Sequence, residues 1–218
     1  MRIRTKPWAK KELEECKFYF NEPEINKGKW HEYFKNSNPL HIELGCGKGS
    51  FIAELATKNL NVNYIAVDMI EAMLGLAKRN IENKYKEKNI KDLANIALVR
   101  QNIERIDMML DEKDIVDRIY INFCNPWPRG KHNKRRLTHT RQLEKYKIFL
   151  KKGGEIHFKT DDDMLFESSI KYFEESGYNI TEITYDLHSE NIEDNIETEH
   201  EKMFSEQGIK IKKLVAKL

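Results

Sequence analysis

One segment narrows the possible folds more than any other. Leu40 to Leu44 is a short apolar run that ends in Gly45-Cys46-Gly47-Lys48-Gly49-Ser50, and a helical stretch, Phe51 to Lys58, follows at once. A run of that length reads as a buried strand, and the glycines let the backbone turn tightly into the helix. The alternation then repeats. Tyr64 to Val67 ends at Asp68 as a second strand, Glu71 to Glu87 has helical composition, Ile96 to Val99 makes a third strand and Arg118 to Phe123 a fourth. Arg141 to Leu150 reads as a helix, Glu155 to Lys159 as a fifth strand, and Leu165 to Glu175 as a helix stopped by Gly177. Tyr178 to Leu187 alternates as a strand does. Ile209 to Val215 alternates weakly, as suits an edge strand whose lysines discourage aggregation.

Strand and helix in turn imply an α/β, Rossmann-like fold: a mostly parallel seven-stranded sheet with helices on both faces and an antiparallel hairpin at one edge. No internal repeat or Ser/Gly-rich linker divides the chain. One domain over residues 1–218 is therefore expected, with 1–30 as a basic N-terminal extension. Ligands of such sheets bind at the carboxyl ends of the strands, so the residues just beyond each strand are the ones that count.

Beyond the first strand, the glycine turn misses two phosphate motifs. A dinucleotide fingerprint needs glycine where Ser50 stands, and a phosphate-cradling loop needs Ser or Thr where Gly49 follows Lys48. A turn that only turns is the plain alternative. Asp68 argues for more, because an acid ending the second strand can accept hydrogen bonds from both hydroxyls of a ribose. Glu43 before the glycines and Asp68 after the next strand together resemble S-adenosylmethionine-dependent methyltransferases of class I. That resemblance implies S-adenosylmethionine as cofactor. It places the glycine loop (Gly45, Gly47) near the methionine part, Asp68 on the ribose, and Asn102, beyond the third strand, near the adenine.

Beyond the fourth strand stands a stiff corner, Asn125-Pro126-Trp127-Pro128, in which proline fixes φ and removes backbone donors. Five Lys or Arg occupy the next eight positions, Arg129 to Arg136, enough to grip a polyanion. Net charge is only +2, from 38 Lys and Arg against 36 Asp and Glu, so any hold on nucleic acid has to come from segregated charge. The charge is segregated: Arg2, Arg4, Lys6, Lys10 and Lys11 precede the first acid, whereas Asp186 to Glu201 carries seven acids and no Lys or Arg. The plain reading of either run is a solvated face.

The corner, the basic run, Phe158-Lys159-Thr160-Asp161, and Thr198-Glu199-His200-Glu201 with Phe204 and Gly208 lie in the order found in the bacterial tRNA (guanine-N7)-methyltransferase family, which this chain resembles from Glu43 to Gly208. The resemblance implies that the substrate is a guanine in the variable loop of tRNA (position 46) and the product N7-methylguanosine. By position, Glu43 and Asn125 join the cofactor site, and Asn125 and Asp161 are the catalytic residues. Arg129, Asp161, Thr198, Glu199, His200 and Glu201 would hold the guanine. Lys131, His132, Asn133, Lys134, Arg135 and Arg136 would meet the tRNA backbone. Asn125 stands where the family commonly has Asp, and Arg129 where it commonly has Lys.

Guanine N7 has an in-plane lone pair and no proton, so it can attack a methyl group without a general base. Asn125 can orient the ring by hydrogen bonds, while Asp161 and Glu201 are expected to supply negative potential to the cationic product. Two rivals stay open. A methyltransferase acting on an exocyclic amine uses a similar Asn-Pro corner, with the Asn accepting from the amine. A catalytically silent RNA-binding module would keep the fold without needing the cofactor cradle.

Cys16, Cys46 and Cys124 are scattered without metal or dithiol spacing, and the seven histidines are dispersed, so no metal is expected. The N-terminus lacks the apolar run of a signal peptide. The expectation is a cytoplasmic enzyme, monomer or homodimer, with tRNA as partner, no membrane and no obligate protein partner.

Overall fold

The computed structural model describes residues 5–190 and 195–218. Arg2 and Arg4 of the basic extension, and Glu193 and Asp194 of the acidic run, lie outside the described residues. The chain forms two compact units, Met1–Asp114 and Ile115–Leu218.

In the first unit, α1 (Pro7–Glu14) precedes the two-residue strand β1 (Tyr19–Phe20) and the short helix α2 (Trp30–Phe34). Strands β2 (Leu40–Leu44), β3 (Asn63–Asp68) and β4 (Ile96–Arg100) follow, with α3 (Ser50–Lys58) and α4 (Glu71–Glu87) between them. All pairings are parallel: β1 with β4, β4 with β3, and β3 with β2. Ile42, Ile65, Ala97 and Leu98 have no exposed surface, as expected of strands covered on both faces.

The basic N-terminal segment is not a loose tail from Lys6 onward. Pro7 opens α1, where its missing N–H costs nothing, and Ala9 packs on Gly75 of α4 so closely that a Cβ at Gly75 would lie 2.5 Å from that of Ala9. Arg79 of α4 lies 3.6 Å from the Trp8 ring centroid and donates through Nε and Nη2 to the Glu12 carboxylate.

In the second unit, β5 (Val116–Asn122) pairs in parallel with β6 (Leu150–Thr160). Helices α5 (Thr140–Tyr146), α6 (Asp163–Glu175) and α7 (Glu199–Ser205), with β7 (Asn179–Thr184) and β8 (Lys212–Lys217), complete it. Asp162 caps α6 by accepting from Leu165 N–H at 2.6 Å. Gly177, at φ +74°, ends that helix, with its N–H on Glu174 O and that of Tyr178 on Phe173 O.

The architecture is α/β, with parallel pairing throughout except at β7 and β8, and the expectations need three corrections. Eight strands are present among the described residues, not seven. The extra one, Tyr19–Phe20, is too short to show a period. The expected helix to Leu150 ends at Tyr146, because Leu150 already pairs with Val116. The tail strand is interior to its unit: β8 is antiparallel to both β6 and β7, and β7 has the outer place. Its lysines therefore do not guard an edge. Lys212 is 7% exposed, donating to Asp161 O at 2.9 Å and lying 2.5 Å from Asp163 Oδ1, and Lys213 bonds Glu182.

Candidate active site

In the first unit the register aligns the strand ends. Leu44 pairs with Val67, and Asp68 with Arg100, so the residues following β2, β3 and β4 emerge along one edge. Gly45 and Cys46 both donate to Val67 O, at 2.8 and 2.9 Å, and Gln101 N–H donates to Asp68 O at 3.0 Å. Gly45, Gly47 and Gly49 all have positive φ (+87°, +53° and +73°), which other residues rarely adopt. Their reasons differ. A Cβ on Gly45 or Gly47 would meet nothing within 4 Å, so the loop faces open space there. A Cβ on Gly49 would lie 2.8 Å from Ala77 Cβ, so this glycine lets the loop rest on α4.

Asp68 ties the loop to the neighbouring strand. Its Oδ2 accepts from Gly47 N–H at 3.0 Å and its Oδ1 from Ile70 N–H at 2.9 Å. The carboxylate keeps acceptor capacity for an outside donor. Burial raises the Asp68 carboxyl above its usual range, against the opposing pull of the Ile70, Gly47 and Met69 N–H groups. Asn102 caps the turn Ile103–Met108, accepting from Glu104 N–H at 3.0 Å. Glu43 is 3% exposed, two residues before Gly45 on β2. Met69, directly beyond Asp68, is 57% exposed. Open space before two glycines, beside a carboxylate with spare acceptor capacity, fits a ligand that carries a hydroxylated sugar. Gly45, Gly47, Asp68 and Asn102 are the residues that would hold it.

In the second unit, Phe123 N–H donates to Lys159 O at 2.9 Å, and the backbone then breaks at φ +50° on Phe123 itself. Trp127 also has positive φ, +44°. Two bulky residues in the left-handed region within five positions mark a backbone held against its preference, a feature that gathers at functional sites. Asn125 is exposed, and its Oδ1 accepts from Trp127 N–H at 3.0 Å. Because Oδ1 has to face that donor, the amide NH2 is left as the outward group. Asp161, beyond β6, is partly exposed, and no donor among the described residues engages its carboxylate.

The Thr198 to Glu201 segment is brought against the corner. His200 stacks on Phe123 with centroids 5.9 Å apart, and Phe204 lies 6.0 Å from the same ring. Glu201, however, is turned inward and wholly buried. Its Oε2 accepts from Lys159 Nζ at 2.9 Å and its Oε1 from Asn195 Nδ2 at 2.6 Å, while Thr198 and Glu201 cap the start of α7 reciprocally. Glu201 therefore does not face a base, contrary to expectation, and Thr198, 7% exposed, spends its hydroxyl on Glu201 N–H. Thr-x-x-Glu is a capping box, a signal the sequence does contain. Glu199 and His200 are exposed.

The basic run divides. Arg129, Lys131, Lys134 and Arg135 are exposed, and His132 and Asn133 partly so. Arg136 is 2% exposed, and its Nε donates to Pro126 O at 2.9 Å. The expected unbroken tRNA-facing run thus stops at Arg135, because the guanidinium of Arg136 is taken up by the corner's own carbonyls.

Residues 37–214 match a family model described as "Putative methyltransferase". A "tRNA (guanine-N(7)-)-methyltransferase" of Clostridium botulinum (strain Alaska E43 / Type E3) is 61% identical over 216 residues, covering 99% of this chain and 98% of the relative. Another of the same name, from Clostridium perfringens (strain 13 / Type A), is 59% identical over 218 residues, covering 100% and 99%. Among solved structures, a 16S rRNA methyltransferase, KamB, superposes with a TM-score of 0.63 at 13% identity, covering 87% of this chain and 92% of that one. An antibiotic-related methyltransferase superposes with a TM-score of 0.61 at 21% identity, covering 86% and 90%. These two likenesses speak to the fold, which is that of the class I methyltransferases. The chain belongs to the tRNA (guanine-N(7)-)-methyltransferase family.

Proposed function

We propose that this chain is an enzyme that transfers a methyl group from S-adenosylmethionine to N7 of a guanine in tRNA. The observation that carries this reading is near full-length identity of about 60% to relatives bearing that name. The family match covers residues 37–214, reaching into both compact units, which supports reading the chain as one methyltransferase domain. No helix among the described residues is long and apolar enough to cross a membrane.

When bound, S-adenosylmethionine supplies an electrophilic methyl group carried on a sulfonium. The residues of the chain have to hold and orient. The Gly45 and Gly47 backbone gives close approach, Asp68 accepts from ribose hydroxyls, and Asn102 flanks the adenine. Guanine N7 needs no base, so the acceptor side works by placement and negative potential. The outward NH2 of Asn125 suits O6, an acceptor beside N7, and the unengaged Asp161 carboxylate suits the N1–H and amino edge. Of the two carboxylates expected to supply negative potential, Glu201 is committed to Lys159 and the helix cap, and Asp161 is left to favour the cationic product. Arg129, Glu199 and His200 border the base. Lys131, Lys134 and Arg135, with His132 and Asn133, take the backbone of tRNA near the variable-loop guanine at position 46.

Relatives named for guanine N7 over nearly the full length of the chain weigh against methylation of an exocyclic amine. N7 methylation makes the glycosidic bond labile. Borohydride and aniline treatment of a methylated tRNA transcript should cleave at position 46, and a transcript with adenine there should stay intact. Cleavage that persists in the altered transcript would refute the assignment of position.

A further inference from the structure

Arg136 ends a run of basic residues, yet its surroundings are unlike those of the others. It is 2% exposed, whereas Lys134 and Arg135 beside it face solvent. Its guanidinium donates through Nε to Pro126 O at 2.9 Å, and through Nη2 to Trp127 O at 3.4 Å and Met164 Sδ at 3.8 Å. These partners are all neutral, and no carboxylate is ion-paired with it among the described residues. A buried cation without a counter-charge carries a desolvation cost, so stability alone is a poor reason for having it.

The corner explains the choice of arginine. Pro126 and Pro128 have no N–H, and the Trp127 N–H is given to Asn125 Oδ1. The Pro126 and Trp127 carbonyls therefore need donors from elsewhere, two of them at adjacent peptide planes. Arginine alone presents a rigid planar fork of donors; lysine offers a point charge on a flexible stem. The fork also grips the one residue of the corner whose φ, +44°, a tryptophan adopts only under constraint. Arg135 grips the same tryptophan from outside, its Cζ 5.1 Å from the ring centroid, and His132 lies 5.7 Å from it.

We infer that Arg136 is a positioning residue for methyl transfer: by holding the Pro126 and Trp127 carbonyls it fixes the peptide plane whose N–H orients Asn125, and it takes no part in gripping phosphate. The chain of contacts is short. Arg136 sets the Trp127 peptide, that peptide sets Asn125 Oδ1, and Oδ1 sets the direction of the outward NH2. The kinetic consequence rests on the guanine-N7 reading, whereas the structural hold does not.

Arg136→Lys and Arg136→Met, each labelled with 5-fluorotryptophan, separate the two. The 19F signal of Trp127 is expected to shift and broaden in both variants, with those of Trp8 and Trp30 unchanged, which also reports that the fold is kept. Lys keeps the charge in place, so Arg136→Lys carries the test if Arg136→Met does not fold. A misplacement of about 1 Å costs roughly 10²-fold, so kcat is expected to fall by that order while KM for tRNA and the salt dependence of binding stay as in the wild type. Arg135→Ala, which removes an exposed charge assigned to the tRNA backbone, is expected to lower the slope of log affinity against log salt by about 1. An unmoved Trp127 signal, or a lowered salt slope with kcat intact in the Arg136 variants, would overturn the inference. A wild-type protein that made no N7-methylguanosine would instead overturn the functional reading and leave the 19F comparison to decide the role of Arg136.

Discussion

Lys159 and Glu201 form an ion pair, Nζ to Oε2 at 2.9 Å, between side chains only 8% and 0% exposed. The pair joins β6 to the cap of α7, and through α7 it sets His200 and Phe204 against Phe123. Burial lowers the pKa of Lys159, with Glu201 pulling it back up. Removing one member strands the other charge in the interior. Lys159→Met should therefore cost about 3–5 kcal/mol in urea unfolding, and Lys159→Met with Glu201→Leu clearly less. A double variant as unstable as the single one would contradict the pairing argument.

The glycine loop gives a contrast between two similar changes. Gly49→Ala drives a methyl group to 2.8 Å from Ala77 Cβ at φ +73°, so it should destabilise by about 2–4 kcal/mol. Gly47→Ala, with φ +53° and no atom within 4 Å, should cost only about 1–2 kcal/mol but weaken S-adenosylmethionine binding. Calorimetric titration beside thermal melting distinguishes the two.

Asp68→Ala should remove acceptors for the ribose and release Gly47. A loss of about 10- to 100-fold in S-adenosylmethionine affinity is expected, as for a hydrogen bond to a charged group, with tRNA affinity retained. Unchanged cofactor binding in the titration would remove Asp68 from the cradle.

His157 gives a pH signature. Burial lowers its pKa from 6.5 to about 4, with the Glu155 hydrogen bond opposing and Arg118 and Lys213 adding to the fall. The unfolded chain takes up this proton first as pH drops, so stability is lost between about pH 6.5 and pH 4, by roughly 2–3 kcal/mol. His157→Gln should flatten unfolding curves in that window. A slope as steep as in the wild type would show that other groups carry it.

Much of this was legible in the residues because the informative signals were periodic or special in φ. Helix α4 runs from Glu71 to Glu87 as its composition indicates, and the glycine turn and Asp68 stand where strand ends put them. What could not be read depended on tertiary partners. Arg136 looks like its neighbours until Pro126 O is brought beside it, and Lys212 looks like an edge lysine until Asp161 O receives it. Tyr19–Phe20 has no period to show. The capping role of Glu201 was legible, since Thr198-x-x-Glu201 is a helix-cap pattern.

The most direct test is to incubate a tRNA transcript with the protein and methyl-labelled S-adenosylmethionine, digest it to nucleosides and separate them by liquid chromatography with mass spectrometry. Label is expected in N7-methylguanosine alone, strongly reduced with Asp161→Ala. Label on an adenine or cytosine amine, or no label with S-adenosylmethionine bound, would contradict the guanine-N7 assignment.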